Sequence, residues 1–228
     1  MKTTSESMPM LSFNYGFYTP GGDLKNRFGN NSAIGSLFQY KTKSNFVFGA
    51  EGTFFFGRNV KENHVLDQLA SPDGEVFDKS SQPSAIIFFE RGFTLSASVG
   101  KIFPVFGPNP NSGILLRVGG GFMQHKIRIE HQNNRIPQLE NDYIKGYDRL
   151  TNGPMLNQFV GYMLMSNNKF ANFYLGVEAI EGFTKSRRGY NYDTRMPDTA
   201  NRLDLMYGVK AGICILFYKR TSTEYYIR

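Results

Sequence analysis

The residue types that most often perform catalysis are sparse in this chain, and their spacing does not suit it. The three histidines, His64, His125 and His131, include no pair at the helical spacing of a zinc protease, and no serine accompanies them at a diagnostic spacing. The single cysteine, Cys214, rules out an intramolecular disulfide framework and a cysteine-based zinc site. The acidic residues of segment 57–85 lack the alternation of a calcium-binding EF-hand loop. We therefore expect no catalytic residue, no metal site and no cofactor.

A small set of charged residues interrupts segments in which small residues alternate with bulky apolar ones. The set consists of Glu51, Glu90, Arg117, Glu178 and Lys210. Unpaired charges are costly in a narrow protein interior, so we predict that these side chains form a paired network there, with Asn14 and Gln39 nearby. The network would either fill and rigidify the interior or line a gated ion path, and the first interpretation is favoured.

The composition narrows the class of protein that could hold such a network. The chain has 228 residues, a net charge of +7, 24 glycines, no tryptophan and 15% aromatic residues. Its mean hydropathy is −0.37, and no stretch is apolar for the ~18 residues of a membrane helix. Abundant aromatic residues and a modest net charge also argue against disorder. An all-β membrane protein is compatible with all of these features.

Alternation of apolar and small or polar residues predicts strands, because successive side chains of a strand point to opposite faces. No segment shows a convincing helical period. We predict about eight strands, which cover residues 11–18, 33–41, 46–56, 87–103, 114–129, 155–165, 170–183 and 205–218.

The connections between these segments alternate strictly between short and long. Segments 42–45, 104–112 and 166–169 are short, whereas 19–32, 57–85, 132–153 and 185–204 are long and polar. In an up-and-down antiparallel sheet, this alternation collects the long loops at one end and the short turns at the other. Outer-membrane barrels have long extracellular loops and short periplasmic turns, so the pattern favours a closed eight-stranded transmembrane barrel.

The apolar face should point to lipid and the small-residue face to the lumen. The first carries Phe, Leu, Val and Ile with almost no charge, and an eight-stranded barrel has an interior just wide enough to be filled by side chains. Aromatic residues near the segment ends predict interfacial girdles, and at the long-loop end this prediction includes Tyr18 and residues 54–56.

These segments, among them LSFNYGFY, FVFGAEGTFFFG, LLRVGGGF and YGVKAGICILF, resemble the small eight-stranded outer-membrane barrels of Gram-negative bacteria, the OmpA/OmpX-like porin fold. The resemblance implies a periplasmic segment at 1–10, a barrel at 11–220 and a periplasmic tail at 221–228. It also implies outer-membrane localisation. Residues 1–10 lack the apolar core of a signal peptide, so we expect a precursor with an export leader.

The pattern identifies an architecture rather than an activity. We expect a non-enzymatic barrel that anchors or accompanies a larger outer-membrane complex for secretion, assembly or uptake. Alternatives are a free-standing adhesion or membrane-integrity barrel, a lipid-A-modifying barrel enzyme, and a soluble lipocalin-like carrier; the absence of tryptophan disfavours the carrier. Scattered basic residues indicate no nucleic-acid site. Four basic residues of the long connections are expected to meet membrane lipid and lipopolysaccharide phosphates, or else only solvent. They are Lys185, Arg187, Arg188 and Arg195.

Overall fold

The computed structural model describes residues 5–131, 136–166 and 172–217. Eight antiparallel strands follow one another around a ring, and pairing of the first strand with the last closes it. The strands are β1 (Met8–Gly22), β2 (Asn31–Lys41), β3 (Phe46–Gly57), β4 (Ile86–Phe103), β5 (Gly113–His131), β6 (Thr151–Met165), β7 (Asn172–Ser186) and β8 (Asn201–Leu216). The predicted all-β, up-and-down barrel is confirmed.

Strand boundaries differ from the predicted ones mainly at the chain start and at the long-loop end. β1 begins at Met8, within the segment predicted to be periplasmic, because Met8 pairs with Lys41 and Met10 pairs with both Gln39 and Leu216. β6 begins at Thr151 because residues 151 and 152 already pair with β5 and β7. The predicted tail, 221–228, and most of the predicted turn at 166–169 lie outside the described residues.

The long connections carry short elements of their own. α1 (Leu24–Arg27) follows β1, and 3₁₀ helices occupy Asn63–Leu69, Pro137–Leu139 and Tyr143–Gly146. A two-residue strand pair, Val76–Phe77 with Pro83–Ser84, lies in the connection from β3 to β4. Within the described residues, no helix is long and apolar enough to cross a membrane.

The outer wall of the ring is apolar. Phe13, Leu95, Val118, Val177 and Ile213 are each more than half exposed. A soluble protein would bury such side chains, whereas a barrel in hydrocarbon presents them to acyl chains. Closure of the ring also leaves no unpaired strand edge in the membrane. We call this outer wall the apolar belt.

The inner wall is filled in two apolar layers. One layer lies toward the long loops and includes Tyr18, Phe55, Met123, Ile180 and Met206. The other lies toward the short turns and includes Met10, Leu37, Leu115, Phe159 and Tyr174. The girdle prediction was wrong for Tyr18 and Phe55, because each lies at an inward position of its alternating strand and is almost fully buried.

A matched pair of glycines in β5 tests the packing of the ring. A Cβ at Gly121 would overlap the carbonyl oxygen of Leu95, whereas a Cβ at Gly120 finds its nearest atoms at 3.5 Å. We expect Gly121→Ala to destabilise the barrel by about 1–3 kcal/mol and Gly120→Ala to be tolerated. The fraction that migrates as folded barrel on unboiled gels, measured across a urea series, checks this. Equal urea midpoints for the two variants would contradict the close approach of β4 to β5 at Gly121.

Candidate functional site: the lumen cluster and the loop cap

Four of the five charged residues singled out in the sequence meet in the middle of the lumen. The Arg117 Nη2 atom lies 3.2 Å from Glu51 Oε2 and 3.7 Å from Glu178 Oε1. The Lys210 Nζ atom lies 2.5 Å from Glu51 Oε1 and 2.9 Å from Glu178 Oε2. Each cation thus contacts both carboxylates, and the formal charges balance. We call these four side chains the lumen cluster.

Neutral side chains complete the hydrogen bonding of the two carboxylates. Asn14 Nδ2 donates to Glu51 Oε1 at 3.0 Å, and the Tyr18 hydroxyl donates to Glu178 Oε2 at 2.5 Å. The Arg117 guanidinium lies 5.2 Å from the centre of the Phe159 ring. Of the two polar residues expected nearby, Asn14 is therefore a direct partner. Gln39 faces the lumen and is fully buried, but no hydrogen bond joins it to the cluster.

Glu90 lies inside the barrel but apart from the lumen cluster. Along β4, Glu90 pairs with Gly57, whereas Ser96 is the residue that pairs with Glu51. Its carboxylate is fully buried near Gly57 and Asn31, toward the long loops. The alternation of β4 predicts its inward direction correctly, but the stagger of the strands places it at another depth.

A second buried polar group, which includes His125, lies at the long-loop end and does not follow from the sequence pattern. His125 Nε2 lies 2.8 Å from Asp204 Oδ2, and Thr184 Oγ1 donates to the same oxygen at 2.5 Å. The hydroxyl thus contacts the carboxylate rather than the imidazole, so the group lacks the nucleophile-to-base order of a hydrolase triad. The His125 ring also packs edge-on against Phe28. The described residues include no group of three or more potential metal ligands.

Both mouths of the barrel are closed by packing. The apolar layer toward the long loops covers the lumen cluster on one side, and the layer toward the short turns covers it on the other. At the short-turn mouth, Lys41 Nζ donates to Ser5 Oγ at 2.9 Å, to Glu6 O at 3.0 Å and to Asn111 Oδ1 at 2.9 Å. This arrangement favours a filling role for the lumen cluster over a gated ion path.

Salt bridges and hydrogen bonds tie the long connections into one cap over the barrel. Glu62, from the β3–β4 connection, accepts from Arg27 Nε at 2.7 Å and from Arg149 Nε at 2.8 Å. Arg149 Nη2 also lies 2.5 Å from Asp193 Oδ2 in the β7–β8 connection. Burial disfavours the charge of Arg149, yet its hydrogen bonds with Asp193 and Glu62 hold its pKa above the ordinary value. All four connections therefore contribute to this loop cap.

The four basic residues predicted to face lipopolysaccharide have different surroundings. Lys185 and Arg195 are exposed, and exposed Arg187 donates from Nε to Asn152 Oδ1. Arg188 instead forms two bonds with Asp148, at 2.7 and 2.5 Å, and these raise the pKa of its guanidinium. Arg188 thus belongs to the loop cap, while the other three leave charge on the surface.

Removing Arg149 is expected to loosen the loop cap without unfolding the barrel. Arg149→Ala breaks charge-assisted hydrogen bonds to two loops, and we expect local opening to become easier by about 2 kcal/mol. Limited proteolysis of the folded protein in micelles measures this as faster cleavage in the long connections. Arg195→Ala is the matched control, because it removes the same charge from an exposed side chain. Equal cleavage rates for the two variants would show that the cap is not held by Arg149.

The closed ring, apolar belt and filled lumen together define the architecture. The fold is that of the small eight-stranded outer-membrane barrels. Neither a protein-family model nor a curated protein matches the chain. Among solved structures, it is similar to Ail, the attachment invasion locus protein of Yersinia pestis, at 10% identity and a TM-score of 0.43, over 92% of this chain and 99% of that one. It is also similar to the N-terminal β-barrel domain of Pseudomonas aeruginosa OprF, at 10% identity and a TM-score of 0.36, over 89% and 96%.

These similarities concern the fold alone and carry no argument about ligands or partners. The predicted outer-membrane location agrees with the chain's own features. An apolar outer wall and a ring without free strand edges are what hydrocarbon requires of a β-sheet protein.

Proposed function

We propose that the chain is a non-enzymatic outer-membrane barrel that anchors or accompanies a larger outer-membrane complex serving secretion, assembly or uptake. The observation that carries the proposal is the contrast between the filled lumen and the loop cap. The lumen is filled by paired charges and apolar layers, whereas the long connections form an ordered cap outside the membrane. A preorganised loop surface suits protein recognition, because little conformational entropy is lost on binding.

The exposed surface of the loop cap has the composition of a protein interface. Tyr143, Tyr190, Tyr192 and Met196 are large side chains that the fold leaves exposed, and Arg195 lies beside Met196 in the chain. The rings of Tyr190 and Tyr192 lie 6.2 Å apart, and Tyr192 packs edge-on against Tyr147. Tyrosine, arginine and methionine are enriched at protein interfaces, and tyrosine and arginine supply many of their energetic hot spots.

Native co-purification in mild detergent tests this proposal. We expect the wild-type barrel to return with one or more larger outer-membrane proteins, and the double variant Tyr190→Ser, Arg195→Glu to lose them while remaining folded. Phe106→Ser is the matched control, because Phe106 is 93% exposed at the short-turn end. Recovery of the isolated barrel alone from wild-type membranes would reject the accessory role and favour a free-standing barrel.

A lipid partner is also proposed, at the upper edge of the apolar belt. A cleft of about 420 Å³ is lined by Lys185, Arg187 and Asn152, with Phe183 and Leu203 among its apolar residues. The basic groups suit lipopolysaccharide phosphates and the apolar ones suit the adjoining acyl chains. Lys185→Gln with Arg187→Gln should weaken lipopolysaccharide binding to the purified barrel, whereas Lys79→Gln should not. Unchanged binding by the first variant would reject this site.

A further inference from the structure

Two polar side chains of β6 and β7, Gln158 and Glu181, lie on the outer face of the apolar belt, where lipid is expected. Gln158 in β6 pairs with Val118 and Ala179, which are chain neighbours of the cluster residues Arg117 and Glu178. Gln158 is therefore at the depth of the lumen cluster. Glu181 in β7 pairs with Leu156 and Leu205. Both side chains are half-buried and belong to the outward-facing set of their strands.

The outward residues next to Glu181 along β7 and directly opposite it on β6 and β8 are apolar. Outward Ala179 and Phe183 precede and follow it along β7, and Leu156 and Leu205 lie beside it. Within the described residues, no hydrogen bond or ion pair joins its carboxylate or the Gln158 amide to another side chain. Acyl chains offer no donor to either group, and ionisable residues that face lipid are rare and usually functional.

The same wall has a depression that could receive a partner side chain. It has a volume of about 500 Å³ and lies over Gly120, with Ala97, Leu156 and Gln158 among its lining residues. A second depression, of about 610 Å³, lies between Ile34, Phe54 and Leu95 on β2–β4. The depressions do not distinguish the two walls. Glu181 does, because it pairs with Leu156 of the first depression, whereas neither lining itself includes a charged residue.

We propose that the wall formed by β5, β6 and β7, centred on Gln158 and Glu181, is the intramembrane docking surface for a spanning segment of a partner protein. The partner presents a lysine, arginine or amide donor to the Glu181 carboxylate. The inference deepens the accessory-subunit function and rests on it. Lipopolysaccharide does not fit, since its phosphates would repel the carboxylate. A second copy of this chain does not fit either, since a two-fold contact centred there would oppose two Glu181 side chains.

Site-specific photocrosslinking in intact source membranes tests the docking surface. A photoreactive residue is placed at Leu156 or Leu205 beside Glu181, at Ile34 or Phe54 on the control wall, and at Tyr192 in the loop cap. We expect a foreign membrane protein to be captured at Leu156 and Leu205 and only lipid at the control wall. Glu181→Leu should lower the capture about tenfold while leaving the barrel folded, because leucine suits the belt.

The outcomes separate this inference from the function on which it rests. Capture of protein at Tyr192, with only lipid at Leu156 and Leu205, would reject the docking surface and leave the accessory role standing. Capture of protein at none of the positions would reject both. Capture of a second copy of this chain at Leu156 or Leu205, or equal capture with Glu181→Leu, would overturn the proposed partner chemistry.

Discussion

Replacing Arg117 by leucine is expected to cost the barrel about 3–5 kcal/mol of stability. The substitution leaves Glu51 and Glu178 with a single cation, Lys210, and so places an uncompensated negative charge in a lumen that apolar layers close at both ends. Urea-dependent folding in detergent micelles measures the effect, with gel mobility as the readout. We expect the folding midpoint to fall sharply or the folded band to disappear.

The charge balance can be separated from packing by a compensating substitution. Arg117 also packs over Phe159, so Arg117→Met is the better single variant for this comparison because methionine keeps much of the volume. Combining Arg117→Met with Glu51→Gln restores neutrality, and we expect it to recover most of the lost stability. A double variant as unstable as the single one would contradict the charge explanation. In that case, the loss of folding stability in Arg117→Met would come from the lost packing against Phe159.

The sequence predicted the lumen cluster well because alternation within a strand fixes the direction of each side chain. Glu51, Arg117, Glu178 and Lys210 each share a face with glycine, serine or threonine, and all four point inward. Which inward residues meet depends on the stagger between strands, and local sequence does not encode stagger. Glu90 is the example: its direction follows from β4, but its depth follows from the register of β4 with β3.

Long-range polar contacts were harder to predict for the same reason. His125 and Asp204 are 79 residues apart, and they meet because β5 and β8 hold them at the same height in the lumen. Tyr18 could have been recognised, since it continues the inward series Ser12, Asn14 and Gly16 of β1. Its proximity to a strand end predicts an interfacial girdle, whereas the alternation of β1 predicts the lumen, and the alternation is correct.

The loop cap could not be predicted from periodicity, because its ion pairs join irregular segments. Arg27, Glu62 and Arg149 come from three different connections, and their sequence neighbourhoods show no repeat. Closure of the ring brings the three segments to one end of the barrel. The alternation of short and long connections therefore predicted where the cap lies, while its contacts depend on tertiary structure.

The largest expected effect on membrane insertion comes from a charge in the apolar belt. Val118→Arg places a guanidinium on the lipid-facing wall at the depth of the lumen cluster, and we expect a loss of about 2–4 kcal/mol of folding free energy in vesicles. Val105→Arg is the matched control, because Val105 is exposed in the short connection between β4 and β5. The folded fraction in vesicles, read by gel mobility across a urea series, compares the two variants.

The same pair of variants decides whether the outer wall lies in hydrocarbon. In a water-soluble barrel an arginine at position 118 would be solvated and nearly neutral, because the valine it replaces is already more than half exposed. In a bilayer the guanidinium must stretch toward an interface or thin the membrane locally, and each response costs free energy. Equal folding of Val118→Arg and Val105→Arg in vesicles would contradict a lipid-facing belt. A deficit confined to Val118→Arg would place Val118, and with it the wall of β4, β5 and β6, in contact with acyl chains when the purified barrel is alone in the vesicles.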